Sequence, residues 1–218
     1  FYAIAQLPLA TAMTLNYMSG VWVAAFLVGS TIFLGSLKDA KRQIPVALTV
    51  LAGFAGVVMT LRPTFEQNQI LAGLIGVASG MIAAMAYLQV AALGKVGEPV
   101  ERTVFYFSLG AALAGGLCML LFGVSEWHWP AAVWLLPIGI LAVLGQWCMT
   151  QAYTDGATIV VANLQYAGIV FSALFGLVLF GDQIPFIGWA GMCLIVLSGF
   201  AATALRDKSL VKVPTEDH

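Results

Sequence analysis

Seven long apolar runs dominate the chain, at residues 9–35, 44–61, 70–93, 103–123, 131–153, 157–180 and 185–205. All nine Lys and Arg and all ten Asp and Glu fall in the gaps between runs or in the tail. About 20 consecutive apolar residues cross the hydrocarbon core of a bilayer as a helix. The apolarity is continuous rather than alternating, which predicts helices and excludes the short two-faced strands of a membrane barrel. The gaps carry turn chemistry, as in Asp155-Gly156 and Asp182-Gln183-Ile184-Pro185. Residues 1–7 read as the end of an eighth helix, and the opening Phe1 in mid-pattern points to a start further upstream. Residues 206–218 read as a polar, solvated tail. Pro8, Pro45 and Pro185 fall where helices are expected to begin, a tolerated position. Pro137 falls inside a run, which predicts a kink or hinge.

Composition agrees with this pattern. The chain is 61% hydrophobic and 9% charged over 218 residues, against about a quarter charged in soluble domains. A net charge of −1 with no dense basic cluster gives no surface for nucleic acid. Cys118, Cys148 and Cys193 have unrelated spacings inside apolar runs and read as small buried hydrophobes, not as a disulfide framework or metal site. No cofactor or metal is expected.

Charge in the gaps predicts orientation. If the first complete run passes from outside to inside, then Lys38, Lys41, Arg42, Lys95, Arg102, Arg206, Lys208 and Lys212 all face the cytoplasm and only Arg62 lies outside. This places the C-terminus in the cytoplasm of a cell with this chain in its plasma membrane, the inner membrane of a bacterium. Trp127, Trp129 and Trp134 cluster at one outer gap, as interfacial aromatics do.

The chain also contains a weak internal repeat. Leu15-Asn16-Tyr17 followed by Val21, Ala24 and Phe26 matches Leu164-Gln165-Tyr166 followed by Val170, Ala173 and Phe175 at the same spacings. Further on, Leu34-Gly35-Ser36 parallels Phe180-Gly181-Asp182, and Gly53-Phe54-Ala55 parallels Gly199-Phe200-Ala201. On the orientation above, the two copies run in opposite senses. Inverted repeats of this kind build secondary transporters whose site lies near the bilayer midplane.

These stretches resemble the drug/metabolite transporter superfamily, in particular its EamA branch. Residues 1–12 are similar to that family's junction of helices 3 and 4, and residues 157–183 to its ninth helix with a Phe-Gly-acid turn; Gly188, Gly191 and Gly199 suit the tenth. The resemblance implies an all-α polytopic membrane protein, an inverted-repeat helical bundle of five plus five helices, with about seven complete and one partial present here. Residues 1–65 would then be the remainder of the first repeat (the end of helix 3, helices 4 and 5), residues 70–205 the second repeat (helices 6 to 10) and residues 206–218 a cytoplasmic tail. It also implies an N-terminal truncation of roughly 75 residues at 20-odd residues per span. The family commonly carries Glu after two of these helices, where this chain has Ser36 and Asp182.

Polar groups at membrane depth are costly and face protein or water. The candidates for a substrate path are Asn16 and Tyr17, their counterparts Asn163, Gln165 and Tyr166, then Gln146, Trp147 and Gln151 in the preceding run, and Tyr87 with Gln89. An amide next to a phenol in each half offers donors, acceptors and an aromatic wall, which suits a small amphipathic solute better than an inorganic ion. Thr11, Thr14, Ser79, Ser108 and Ser172 are expected to bond carbonyls one turn back, and Gly76, Gly80 and Ala84 to mark a close helix crossing. No acid or His lies within a run, so these residues are expected to supply no proton relay and no catalytic base. The reading is therefore a secondary transporter of a small metabolite or drug-like solute working by alternating access, not an enzyme. Its partners would be that solute, the lipid bilayer and a second copy in a homodimer; the small-residue stripe serves either within one chain or between two. The alternative is a non-catalytic helical membrane subunit or scaffold.

Overall fold

The computed structural model describes residues 6–34, 37–64, 69–123, 132–181 and 183–210. All seven apolar runs are helical, and no strand occurs among the described residues. The first run is α1, Leu9–Tyr17, and after a break at Met18 continues as α2, Ser19–Leu34. Then come α3, Leu37–Leu61, α4, Ile70–Lys95, α5, Val100–Phe122, and α6, Leu135–Asp155. The next run is broken like the first, into α7, Thr158–Leu164, and α8, Ala167–Phe175, which passes into a π-helical turn, Gly176–Phe180. The last is α9, Phe186–Leu210. Seven stretches are long and apolar enough to cross a bilayer, so the chain is an all-α polytopic membrane protein.

Helix ends differ from the expected run ends in instructive ways. Pro8 caps α1 and Pro185 precedes α9, accepting the Gly188 N–H at 2.8 Å. Pro45 instead lies inside α3. The helix starts two turns before the apolar run, because residues such as Lys, Ala and Arg propagate a helix well even where they end a membrane span. The reverse holds for Pro137. It stands in the first turn of α6, where its missing N–H would be unpaired in any case, so it demands no kink. α9 continues to Leu210, into the segment expected as tail. The three cysteines are exposed rather than buried. Residues 1–5, Ser36, Trp127, Trp129, Asp182 and residues 211–218 lie outside the described residues.

The helices form two units. The first contains Phe1–Tyr87 and Ala157–His218. Its longest seam joins α3 to α9. The backbones meet at two glycines: a Cβ on Gly56 would stand 2.6 Å from the Gly191 carbonyl oxygen, and one on Gly191 would stand 2.6 Å from the Gly56 oxygen. The short α7 sits on α2, α3 and α9. The core between them is Ala24, Val50, Val57, Tyr166, Ile169 and Ile195. α4 crosses α1 at the expected small-residue stripe, with Gly76 against Leu15 and Gly80 against the Leu15 carbonyl. The second unit, Leu88–Gly156, packs α5 against α6. Many large apolar side chains on both, Leu113, Leu117 and Leu141 among them, are exposed, while Val100, Val104 and Tyr153 are buried.

Thr14 bonds the Ala10 carbonyl one turn back, as expected, but Thr11 does not. Its buried hydroxyl donates to the Thr64 carbonyl at 2.7 Å and accepts the Thr64 N–H at 2.9 Å, clasping the segment after α3 onto α1. The clasp follows Arg62, which adopts a left-handed φ of 50°. Thr11→Val keeps the shape and removes both bonds, at about 1 kcal/mol by the usual worth of such bonds. Hydrogen exchange of the Thr64 amide, which donates to Thr11 Oγ1, is then expected to rise roughly fivefold in the detergent-solubilised protein. An unchanged exchange rate would show that the clasp does not hold the segment.

Candidate functional site

The expected repeat coincides with two helix breaks. Asn16-Tyr17 closes α1 just before the break at Met18, and Gln165-Tyr166 occupies the break between α7 and α8. Both breaks have a local cause of the kind that bends helices. Ser19-Gly20 follows the first and Ala167-Gly168 the second. At the second, the ladder tightens to i→i−3: the Tyr166 N–H bonds the Asn163 carbonyl at 3.1 Å, Gly168 bonds Gln165 at 3.2 Å and Ile169 bonds Tyr166 at 3.0 Å.

The structure brings the two motif tyrosines together. The Tyr17 and Tyr166 rings lie 6.2 Å apart at 65°, an edge-to-face pair, and Phe54 flanks Tyr166 at 6.4 Å. Tyr166 is 1% exposed. Its seat is made by two glycines. A Cβ on Gly20 would come within 2.5 Å of Tyr166 Oη, and one on Gly53 within 2.8 Å of its Cδ2. Among the described residues Tyr166 Oη has no hydrogen-bond partner. Next to it, the half-buried Gln165 donates from Nε2 to Tyr87 Oη at 3.2 Å, linking the break to α4. Asn16 is exposed at the end of α1.

Asn163 is placed differently from its neighbours. It is 1% exposed, and its amide is committed on both sides. Nδ2 donates to Thr49 Oγ1 at 3.2 Å and to the Ser198 carbonyl at 2.9 Å, while Oδ1 accepts the Ser198 hydroxyl at 3.2 Å. This ties α7 to α3 and α9. The sequence reading missed Thr49, Ser198, Gly20 and Gly53 as parts of this arrangement. One signal was present: both glycines of the repeated Gly-Phe-Ala meet α7, Gly53 at Asn163 Oδ1 and Gly199 at Leu164.

The remaining candidates belong to the second unit. Gln89 is exposed, Gln146 is half-buried and Trp147 is 41% exposed. Gln151 bonds the Asp155 carboxylate one turn on. Among the described residues no three His, Cys, Asp or Glu side chains cluster in a way that could hold a metal ion. The first-unit arrangement is built from amides, phenols and hydroxyls, without charged side chains.

Comparison with known proteins places this geometry. No family model matches the chain. The chain is 32% identical to the pseudopaline exporter CntI of Pseudomonas aeruginosa over 212 residues, covering 94% of this chain and 70% of the exporter. It is 28% identical to a riboflavin transporter of Vibrio cholerae over 84% of this chain and 63% of that protein. A solved crystal structure superposes with a TM-score of 0.73 at 25% identity, over 93% of this chain and 71% of the other. A chain that aligns almost end to end with the exporter at this identity shares its fold and its class of activity, and it belongs to the family of drug/metabolite-type secondary transporters that includes CntI.

Proposed function

We propose that the chain, as part of an EamA-type carrier in the plasma membrane, moves a small amphipathic metabolite by alternating access between two inverted repeats. On this reading residues 1–65 complete the first repeat and residues 70–205 form the second, with the C-terminus in the cytoplasm. The observation that carries the proposal is the pairing of the two Asn/Gln-Tyr motifs: each lies at a helix break, and their tyrosines touch at 6.2 Å. At the first break the Met18 N–H keeps its bond to the Thr14 carbonyl at 3.1 Å and at the second the ladder tightens, and irregular backbone at membrane depth is tolerated where it is buried in protein or lines a cavity. Two such breaks of opposite sense allow the halves to rock about one point. Asn16, Tyr17, Tyr87, Gln165 and Tyr166 would line the path. Asn163 serves as a strut that keeps α7 against α3 and α9, and Gln165 bonds Tyr87 of α4. One relative is named for pseudopaline export and another for riboflavin transport, which supports a small-molecule substrate.

The test is the double variant Asn16→Ala/Gln165→Ala, in an uptake and export screen of metabolites on vesicles containing the complete protein. Flux of at least one compound carried by the wild type is expected to fall by tenfold or more, as about 1.4 kcal/mol of lost binding dictates. If every transported compound moves at the wild-type rate, the assignment of the path is wrong.

A further inference from the structure

A crevice of about 260 Å³ opens beside the same break. Leu164 and Ala167 line it from α7 and α8, and Val196, Gly199, Phe200 and Thr203 from α9. Its chemistry is nearly all hydrocarbon. The two polar side chains that reach it are already satisfied, since Thr203 Oγ1 donates to the Gly199 carbonyl at 3.0 Å and the Asn163 amide is held by Thr49 and Ser198. A water needs two to four polar partners and finds none here, and a polar solute would be left unpaired.

Depth narrows the occupant further. Leu164 and Ala167 stand six and nine residues into the span Thr158–Leu179, or roughly 9–14 Å at 1.5 Å per residue. Val196 to Thr203 stand nine to two residues before the end of the span Phe186–Leu205, roughly 14–3 Å from it by the same rise. The two spans are antiparallel neighbours, so the crevice lies within the half of the bilayer where one begins and the other ends. That half is about 15 Å of acyl chain. Its rim residues Leu164, Val196 and Phe200 are exposed, the last at 73%, so the recess is open to its surroundings at this depth.

We propose that this crevice is a binding site for one acyl chain of a membrane phospholipid, drawn from that leaflet and seated behind the Gln165-Tyr166 break. It is a site for hydrocarbon, distinct from the polar solute path on the other face of the break, and it does not depend on the identity of the transported solute.

The test uses the complete protein in vesicles of phosphatidylethanolamine and phosphatidylglycerol, with a fraction of the phosphatidylglycerol carrying a photoactivatable diazirine on one acyl chain. After illumination, labelled residues are mapped by peptide mass spectrometry. Label is expected to concentrate at Leu164, Val196 and Phe200 relative to Leu113 and Leu117 of α5, which are exposed but flat. Val196→Trp fills the crevice from its rim without touching the core and is expected to abolish most of that label while leaving the label on α5 unchanged; Val196→Ala is expected to retain it. Equal labelling of crevice and α5 face would mean ordinary annular lipid only and would overturn the proposal. So would an unlabelled crevice, which would mean that protein side chains cover it.

Discussion

Gly191→Leu is expected to unfold the seam between α3 and α9, with a loss of about 3 kcal/mol or more, at or beyond the upper end of ordinary overpacking costs. The reason is that nothing soft lies opposite. A Cβ at Gly191 meets the Gly56 carbonyl at 2.6 Å and Thr60 Oγ1 at 2.5 Å, and the carbonyl belongs to a helix backbone that cannot turn aside. The helices would have to separate along the longest contact in the first unit. They would then lose dispersion contacts, which without a hydrophobic drive in lipid are what hold membrane helices together. Thermal melting in detergent should fall by about 6 °C or more for a chain of this size. The control is Gly116→Leu in α5, where a Cβ meets nothing within 4 Å. There the change only raises helix propensity, so melting should hold or improve. If Gly191→Leu melts with the wild type, the backbone contact is not as described.

The second large effect is at Tyr166. Tyr166→Ala removes the ring that joins Tyr17, Phe54 and the core of Val50, Val57 and Ile195, and a cavity of that size costs about 3–5 kcal/mol. Tyr166→Phe is expected to do the opposite to stability. The hydroxyl is buried against Gly20 with no partner among the described residues, and such an orphan costs about 1–3 kcal/mol. Removing it should leave melting unchanged or raise it. If, as proposed, the halves rock about this point and the hydroxyl gains an acceptor when the break opens, transport is expected to fall all the same. Melting temperature and solute flux of the two variants separate the roles. Wild-type flux in Tyr166→Phe would mean that the hydroxyl takes no part in the cycle, and a destabilised Phe variant would mean that it is already bonded.

Much of the architecture was legible from the order of residues. Charge is so costly in hydrocarbon that confining all nineteen charged side chains to gaps and tail leaves little freedom in where the chain crosses. The stripe of Gly76, Gly80 and Ala84 was equally readable, since small residues four apart stay on one helix face. Helix ends were less so. Pro45 proved interior and Pro137 terminal, because the end of an apolar run marks the membrane surface and not the last hydrogen bond of a helix. Even Thr11 followed distance rather than propensity, reaching Thr64 across fifty-three residues.

The candidate site divides along the same line. From the order of residues alone comes the expectation that Asn16-Tyr17 and Gln165-Tyr166 occupy equivalent places, because a repeat is a property of order and spacing. Only the tertiary structure decided that the two tyrosines meet edge to face, that Gln165 reaches Tyr87 and that Asn163 is spent on Thr49 and Ser198. An amide in an apolar run has the same four bonding positions whatever it faces, and which of them are filled depends on neighbours 35 and 114 residues away.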